Sequence, residues 1–413
     1  MNSPQTKLDG HKRRPALQLV FTLLLGFLSA QALAGTVELT AKFNPNPQNP
    51  NMNQFINTTP NSGICASYTC NSVELPLKIQ TTTTIFANHT DPRKGGFIKV
   101  PADWREITAI SPSGDAKQLK FRIIEFGASN WLDKDVWEMT GGAANNVTDL
   151  WEGGGWDSSV SGPCQTHPEV NGGHGNKADD FLWRTPTNTA CTKKALFDIE
   201  GLKLYNPSII YELKTPDPLA MESGTYTGSI DYTVGPGGDF DFGDVLASDD
   251  NLLTFNFTLS VEHLLKVQFP PGADRLTLIP DGGWQQWLNR GRRPEKLFAN
   301  QSFQAWASSP FKMHLECQYS VGNQCGIQNA AGHLVPVETR VTLPPGLIDK
   351  NNQSVNRQLL SNSTPSIFHP SYYVDNGRAT LHFEVGRDSV KQMTEHAGTR
   401  YSGNVTVVWD TEI

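Results

Sequence analysis

The stretch Tyr401-Ser-Gly-Asn-Val-Thr-Val-Val-Trp-Asp-Thr-Glu-Ile413 decides the fold of this chain. Val405, Val407 and Trp409 occupy every second position, and such an alternation predicts a β-strand with one buried face. The sequence leaves no later stretch to pair with the free side of this strand. We therefore expect its second neighbour to come from earlier in the chain or from another molecule.

A similar pattern occurs once more, at Gly224-Thr-Tyr-Thr-Gly-Ser-Ile-Asp-Tyr-Thr-Val234. The equivalent positions pair Tyr226 with Tyr401, Gly228 with Gly403, Ile230 with Val405 and Tyr232 with Val407. The repetition predicts two β domains, each of which closes on an equivalent strand. Because Tyr-x-Gly is short, chance similarity is the alternative.

The amino terminus has the features of a secretory signal peptide. Lys12, Arg13 and Arg14 precede an apolar run at residues 16–30, and Ala32-Leu33-Ala34 supplies a small-x-small cleavage pattern. A transmembrane anchor is the alternative, but the apolar run is too short and ends in small residues. Removal of residues 1–34 leaves 30 basic and 40 acidic residues, a formal charge of −10. This charge argues against nucleic acid or anionic membrane as a partner.

The composition favours an all-β protein. Glycine and proline number 36 and 27, and stretches with helical periodicity are scarce. An even number of cysteines in an exported chain predicts disulfides. Sequence proximity pairs Cys65 with Cys70, Cys164 with Cys191, and Cys317 with Cys325. Zinc is the alternative, but the chain has no Cys-x-x-Cys, and we predict neither a metal nor a cofactor.

Two β-sandwich domains are predicted, at residues 35–234 and 253–413, joined by a linker at 235–252. Strands are expected at 37–43, 73–79, 82–86, 118–126, 195–205, 209–213, 226–234, 253–261, 264–269, 276–279, 302–306, 311–317, 334–343, 379–385 and 401–410. Asp239, Asp241 and Asp244 in the linker suggest calcium, but the glycine and closing glutamate of an EF-hand are missing. We prefer a linker strand with Phe240 and Phe242 directed inward.

Residues 127–191 lose the alternation and contain five tryptophans. Tryptophan-rich segments are rarely disordered, because each indole has a large apolar surface to bury. We expect an ordered, disulfide-braced loop whose aromatic faces and polar groups bind a sugar. The candidate binding residues are Trp151, Trp156, Asp157, His167, Asn171, His174 and Trp183. The alternative is that the tryptophans form a small core beneath the loop.

The same segment contains a weak metal-site pattern, and the chain has no specific enzyme motif. His167 and His174, followed by Asp179 and Asp180, could bind a metal, although nothing in their spacing is specific. Gly-x-Ser-x-Gly, His-Glu-x-x-His and a Walker loop are absent. A spatial pair of carboxylates for glycoside hydrolysis stays open, but we predict that the protein is not an enzyme.

The chain resembles the two-domain tip adhesins of bacterial chaperone–usher fimbriae. The resemblance lies in the overall layout, in Gly224–Val234 with its following Gly-Gly-Asp-Phe-Asp-Phe-Gly-Asp, and in Tyr401–Trp409. The resemblance implies that the rear domain is an incomplete immunoglobulin-like pilin domain. A periplasmic chaperone would lend it a strand, and at the outer-membrane usher the extension of the adjacent subunit would replace that strand. Tyr401, Val405, Val407 and Trp409 would line the groove or its rim, and the chaperone would grip the Ile413 carboxylate.

The resemblance also implies that the protein is exported through the periplasm to the fimbrial tip. There the front domain would bind a host receptor, usually a glycan. The length of the tryptophan-rich insert prevents the transfer of any known sugar pocket. Two other functions stay open, a structural subunit that initiates assembly without binding a receptor and an exported enzyme that acts on polysaccharide.

Overall fold

The computed structural model describes residues 35–49, 53–170 and 175–411. The predicted signal peptide and the candidate residues Asn171, His174 and Ile413 lie outside the described residues. Within them, strands dominate and the α-helices are short, which confirms the all-β prediction. None of the helices in these ranges is long and apolar enough to cross a membrane. The helices are α1 (Val136–Met139), α2 (Gln285–Arg290) and α3 (Arg387–Glu395).

The strands divide between a front half and a rear half of the chain. Those of the front half are β1 (Gly35–Phe43), β2 (Ile56–Asn57), β3 (Val73–Glu74), β4 (Ile79–Thr81), β5 (Gly96–Ile98), β6 (Arg105–Ile110), β7 (Ala116–Leu132), β8 (Gln165–Thr166), β9 (Ala178–Arg184), β10 (Cys191–Lys193), β11 (Leu202–Lys214), β12 (Gly224–Thr233), β13 (Leu246–Ser248) and β14 (Leu252–Val261). Those of the rear half are β15 (Leu265–Gln268), β16 (Leu297–Ala307), β17 (Phe311–Cys317), β18 (Ser320–Val321), β19 (Gln324–Gln328), β20 (Leu334–Thr342), β21 (Leu347–Asp349), β22 (Gln358–Leu359), β23 (Ser366–Pro370), β24 (Val374–Val385) and β25 (Val405–Asp410).

The front half is built on one curled sheet around a continuous core. Its strand order is β13-β4-β11-β7-β6-β12-β14-β1-β2, and β9 also pairs with β7. The alternation in the sequence is visible in β1, where Val37, Leu39, Ala41 and Phe43 are buried. Phe240 and Phe242 are also buried in this core, as predicted.

The sequence assigned β14 to the wrong half. This strand, predicted to open the rear domain, pairs antiparallel with β12 from Gly224 to Thr233 and parallel with β1. Phe255 and Phe257 belong to the front core. Alternation identifies a strand with one buried face but does not identify the sheet that it joins. The front sheet therefore extends to Val261, beyond the predicted linker.

The insert at 127–191 is ordered but is not a loop throughout. It begins inside β7, and β9 pairs with β7 from Glu125↔Arg184 to Trp131↔Ala178. All three predicted disulfides are confirmed, at Cys65–Cys70, Cys164–Cys191 and Cys317–Cys325. The Cys164–Cys191 bridge closes the last part of the insert, residues 164–191, and stabilises it by about 3 to 4 kcal/mol on the chain-entropy model.

The rear half has two sheets around a second core. One has the order β15-β16-β24-β20-β19-β18, and the other has the order β21-β23-β17-β25. Phe303, Met313, Leu315 and Leu381 are among the residues buried between them. Two predicted strands, at 82–86 and 276–279, are each reduced to a single bridge, at Ile85 and at Ile279. The sequence also gave no indication of β6, β9 or helix α3.

Candidate functional site

The three candidate tryptophans form part of the front core. Trp151, Trp156 and Trp183 are 1%, 0% and 0% exposed. The rings of Trp156 and Trp183 stack with centroids 4.9 Å apart, and Trp151 meets Trp156 edge-on at 5.2 Å. Indoles enclosed in this way cannot stack on a sugar, so their prediction as binding faces is wrong. The alternative was right that these tryptophans are core residues, but they belong to the main front core rather than to a separate small core beneath the loop.

The polar candidates do not assemble into a site around these tryptophans. Asp157 is 9% exposed and accepts a hydrogen bond from Ser158 Oγ at 2.9 Å. His167 lies beside Glu125, with 3.9 Å between Nε2 and Oε2. In the weak metal-site pattern, Asp180 accepts hydrogen bonds from Tyr68 and Ser129. Among the described residues, no group of three or more His, Cys, Asp or Glu side chains is placed to hold a metal ion.

The glycine-rich turn of the insert is held by a buried lysine. Lys193 Nζ donates to the carbonyl oxygens of Glu152, Gly154, Gly155 and Ser159 at 2.8 to 3.1 Å. Burial lowers the pKa of Lys193 to about 8, whereas the nearby carboxylates act in the opposite direction. Charge-assisted hydrogen bonds to several carbonyls fix this turn against the sheet. The turn therefore has a structural role.

Strand β25 lies at one edge of the smaller rear sheet. It pairs antiparallel with β17, from Lys312↔Asp410 to Cys317↔Val405. Its opposite edge pairs with no described strand. None of its six residues is fully buried, although Val405, Val407 and Trp409 pack partly against the rear core. A strand with one free backbone edge and an apolar face half in solvent is a template for further pairing.

A groove of about 680 Å³ runs beside this strand. Its lining combines the inner side chains of β25, the segment after β15, and side chains from the opposite sheet: Phe269, Pro270, Gly272, Ala273, Asp274, Leu276, Leu278, Gln301, Ile327, Val337, Leu381, Phe383, Gly403, Asn404, Val405, Thr406, Val407 and Trp409. The Trp409 ring meets Phe269 and Phe303 edge-on, with centroids 5.9 and 5.8 Å apart. Most of the lining side chains are therefore apolar, and the groove is continuous with the rear core.

The groove coincides with a gap in the larger rear sheet. β15 pairs with β16 as far as Gln268↔Gln304, and the next bridge on that side is Ile279↔Phe298. Between these two points, β16 pairs on this side with no described strand. Leu276 and Leu278 belong to the intervening segment and line the groove. Their place in the groove lining could not be recognised from the sequence, because their alternation predicts an ordinary strand.

The predicted groove residues separate into two groups. Val405, Val407 and Trp409 line the groove, whereas Tyr401 does not. The Tyr401 hydroxyl lies 2.7 Å from His333 Nδ1 and accepts a hydrogen bond from Asn329 Nδ2 at 3.3 Å. Tyr401 therefore anchors the chain just before β25.

Comparison with known proteins found structural likenesses only. No family model and no curated protein matches the chain. One similar solved structure is the CsuC–CsuE chaperone–tip adhesion subunit pre-assembly complex of archaic chaperone–usher Csu pili of Acinetobacter baumannii, at 9% identity over 92% of this chain and 99% of that one, with a TM-score of 0.21. Another is the CupB6 tip adhesin of Pseudomonas aeruginosa, at 8% identity over 81% of this chain and 96% of that one, with a TM-score of 0.24. Because both TM-scores are low, the interpretation of the groove depends on its own geometry.

Proposed function

We propose that this protein is a fimbrial tip adhesin whose rear half accepts a β-strand from another protein. The observation that supports this function best is the apolar groove beside the free edge of β25. An added strand would satisfy the backbone groups of that edge while its alternate side chains fill the groove. The groove, rather than either structural likeness, supports the proposal.

The spacing along β25 suits such an occupant. Val405, Val407 and Trp409 line the groove at intervals of two residues, and a strand places alternate side chains on one face. A donor strand with apolar residues at every second position would therefore match them. An apolar groove left open in water also promotes non-specific association, so a donor is needed from secretion onward.

The rear half binds its partners in a fixed order. A periplasmic chaperone supplies the first donor strand, and the adjacent fimbrial subunit replaces it at the outer-membrane usher. The finished protein lies at the fimbrial tip on the cell surface, where its front half binds a host receptor that carries a glycan. It carries out no catalysis.

The test fuses a donor strand to the whole exported chain. A peptide of alternating apolar residues is attached after Ile413 through a short flexible linker, so that its pairing becomes intramolecular. We expect the fusion to raise the unfolding temperature of the rear half and to suppress aggregation. A peptide of the same composition with the alternation scrambled is the control. Equal unfolding temperatures for the unfused, fused and scrambled chains would contradict strand acceptance.

Val407→Asp provides a matched variant for this test. In the unfused chain this side chain is only partly buried, so the substitution should cost less there than in the fused chain. In the fused chain the donor strand would enclose the charge, which costs several kcal/mol. The variant should therefore lose most of the stabilisation that fusion gives.

A further inference from the structure

An aromatic pair stands on the outer face of the front sheet. Trp131 on β7 and Tyr205 on β11 are 44% and 48% exposed, and their rings meet edge-on with centroids 6.1 Å apart. The opposite face of β7 packs on the front core through Ala128 and Leu132. Apolar side chains that are exposed singly need no explanation, whereas contiguous ones are a feature of binding surfaces. The two rings therefore form a candidate site, and neither was among the binding residues that the sequence predicted.

The register of the sheet leaves one side of Trp131 uncovered. Directly opposite Trp131 are Lys203 on β11 and Ala178 on β9. Residues in this relation share a face of the sheet, with their Cβ atoms about 4.5 to 5.5 Å apart. The methyl group of Ala178 is too small to cover an indole. Nearly half of the Trp131 surface is therefore accessible to a ligand.

Polar groups occupy the next row of the same face. Ser129 lies two residues before Trp131 and is opposite both Asp180 and Tyr205. Asp180 accepts hydrogen bonds from Ser129 Oγ at 2.5 Å and from the Tyr68 hydroxyl at 2.8 Å. Its position is diagonal to Trp131, at a Cα separation of about 7 to 8 Å. A carboxylate has about four acceptor sites, so this partly exposed group can accept further hydrogen bonds from a ligand.

A β-bulge lies beside the aromatic pair. Tyr205 is opposite Ser129, but Ser208 is opposite Gly127, so β11 has one extra residue between these points. Within the bulge, Asn206 has a φ of 51°, in the left-handed region. Bulges redirect neighbouring side chains and are over-represented next to binding sites.

A disulfide-braced loop bounds this surface on the Asp180 side. The loop closed by Cys65–Cys70 covers the adjoining part of the outer face, where Ile64 and Cys65 pack against Leu182 on β9. The hydroxyl of Tyr68, in the same loop, donates to Asp180. The loop therefore forms a fixed border beside the open ring of Trp131.

The nearby charges favour a neutral ligand. Lys203 Nζ pairs with Asp133 at 2.5 Å, and these side chains are 33% and 50% exposed. Together with Asp180, they give two carboxylates and one ammonium group, which leaves one negative charge. This charge repels an anionic sugar, and it also repels a second copy of the exported chain, whose formal charge is −10. A neutral sugar matches the surface better, because its C–H groups suit the negative face of an indole and its hydroxyls suit the polar row.

We propose that the Trp131 surface, formed by Trp131, Tyr205, Asp180 and Lys203, binds a neutral saccharide unit of the receptor. The C–H face of the sugar stacks on the indole beside the Tyr205 ring. One sugar hydroxyl donates to Asp180, and another accepts from Lys203 Nζ. Each of these four side chains is at least partly exposed. The site depends on the proposed adhesin function and deepens it, because it replaces the enclosed tryptophans as the location of receptor binding.

The test measures binding of the whole exported chain to two sets of immobilised oligosaccharides. One set is neutral and consists of oligomers of mannose, galactose and N-acetylglucosamine. The other is sialylated or sulfated. We expect binding in the neutral set, with a loss of about 30-fold or more in affinity for Trp131→Ala and about 10-fold for Tyr205→Ala, as is usual when an aromatic anchor is truncated. Trp137→Ala is the matched control, because Trp137 is 56% exposed but lies on α1, outside the Trp131 surface.

Unfolding measurements separate binding from folding. Because Trp131 is nearly half exposed, Trp131→Ala should unfold close to the temperature of the unsubstituted chain while binding is lost. If Trp131→Ala does not fold, Tyr205→Ala decides the question, because Tyr205 is 48% exposed.

The outcomes also separate this site from the proposed function. Unchanged affinity in the folded variants, an equal loss in Trp137→Ala, or stronger binding to the anionic set would overturn the Trp131 surface as the site and leave glycan binding itself in place. Binding to neither set would overturn both the site and the glycan receptor. Donor-strand stabilisation is measured separately and does not depend on these outcomes.

Discussion

β12 and β25 share a sequence pattern but differ in their surroundings. β12 lies inside a sheet, with β14 along its whole length and β6 at Thr227. Tyr226 and Tyr232 on β12 are 0% exposed. β25 has β17 on one side and the open groove beside its apolar face. The pattern thus encodes a strand that packs closely on its neighbours, whereas the number of neighbours is set by the rest of the chain.

The chain that follows each strand accounts for the difference. After β12 it turns at Val234, which bridges to Phe240, and then brings Phe240 and Phe242 into the core before returning as β14. The front half therefore covers its strand with its own residues. In the rear half the equivalent space is the groove, which we propose another protein fills.

The largest expected difference between the two strands is at the equivalent positions Tyr232 and Val407. Tyr232 packs against Phe240 and Phe255, with centroids 5.9 and 5.6 Å apart. Tyr232→Ala should reduce the free energy of unfolding by about 3 to 5 kcal/mol, as for other large buried aromatics. Val407→Ala should cost less than about 1.5 kcal/mol, because the side chain is only partly buried. Chemical denaturation of the two variants gives both values.

Tyr232→Phe is the control for this comparison. The Tyr232 hydroxyl is buried and has no hydrogen-bond partner among the described residues. Removing it should leave stability unchanged or slightly raised. If the alanine variants at positions 232 and 407 lost equal stability, β25 would be as well covered as β12, and the groove would not be an open site.

A smaller effect is expected at the shared glycines. A Cβ on Gly228 would lie 2.6 Å from the Thr108 carbonyl oxygen, and one on Gly403 would lie 2.6 Å from the Gly326 carbonyl oxygen. Both atoms belong to the backbone and cannot rotate away. Gly228→Ala and Gly403→Ala should therefore each cost about 1 to 3 kcal/mol, measured by thermal unfolding.

Gly386→Ala is the matched control, because no atom lies within 4 Å of its added Cβ. Its cost should be below about 1 kcal/mol. Equal costs at positions 228 and 403 would show that the close approach is a common property of the two strands. If Gly403→Ala alone caused a negligible loss of stability, the backbone beside β25 would be able to move aside. The two strands would then share only their alternation of apolar and polar residues.

Alternation predicted β1, β12, β14, β17 and β25 because each has one apolar face, a property that the sequence displays directly. It failed for β9, where Phe181, Leu182 and Trp183 are all buried and no period of two remains. It also failed to assign β14, whose parallel partner β1 is distant in the chain.

The candidate sites were predictable to different extents. Val405, Val407 and Trp409 could be identified because their face and their neighbouring edge follow from the strand itself. The exposure of Trp151, Trp156 and Trp183 could not be deduced, since an indole suits a core as well as a surface.

The smallest expected effect on stability concerns Asp241, which lies between Phe240 and Phe242 in the segment that covers the front core. Burial alone would raise the pKa of Asp241, but hydrogen bonds from Arg93 and from the amides of Gly237 and Gly243 outweigh it and lower the pKa. Arg93 Nη1 lies 2.9 Å from Asp241 Oδ2. Because the folded-state pKa is below the unfolded value of about 3.9, ionised Asp241 stabilises the fold above that pH. This stabilisation is lost as the pH falls through the folded-state pKa.

Asp241→Asn isolates this contribution, because it keeps the shape of the side chain and removes its charge. At pH 7 the variant should unfold at a lower temperature than the unsubstituted chain, and the gap should narrow as the pH falls below about 4. Thermal unfolding between pH 7 and pH 2.5 measures the gap. A gap that stayed constant over this range would mean that the Arg93–Asp241 pair does not hold Phe240 and Phe242 in place. The front half would then be covered by its own residues through apolar packing alone. The front and rear halves would differ only in whether two such rings, Phe240 and Phe242, cover the strand.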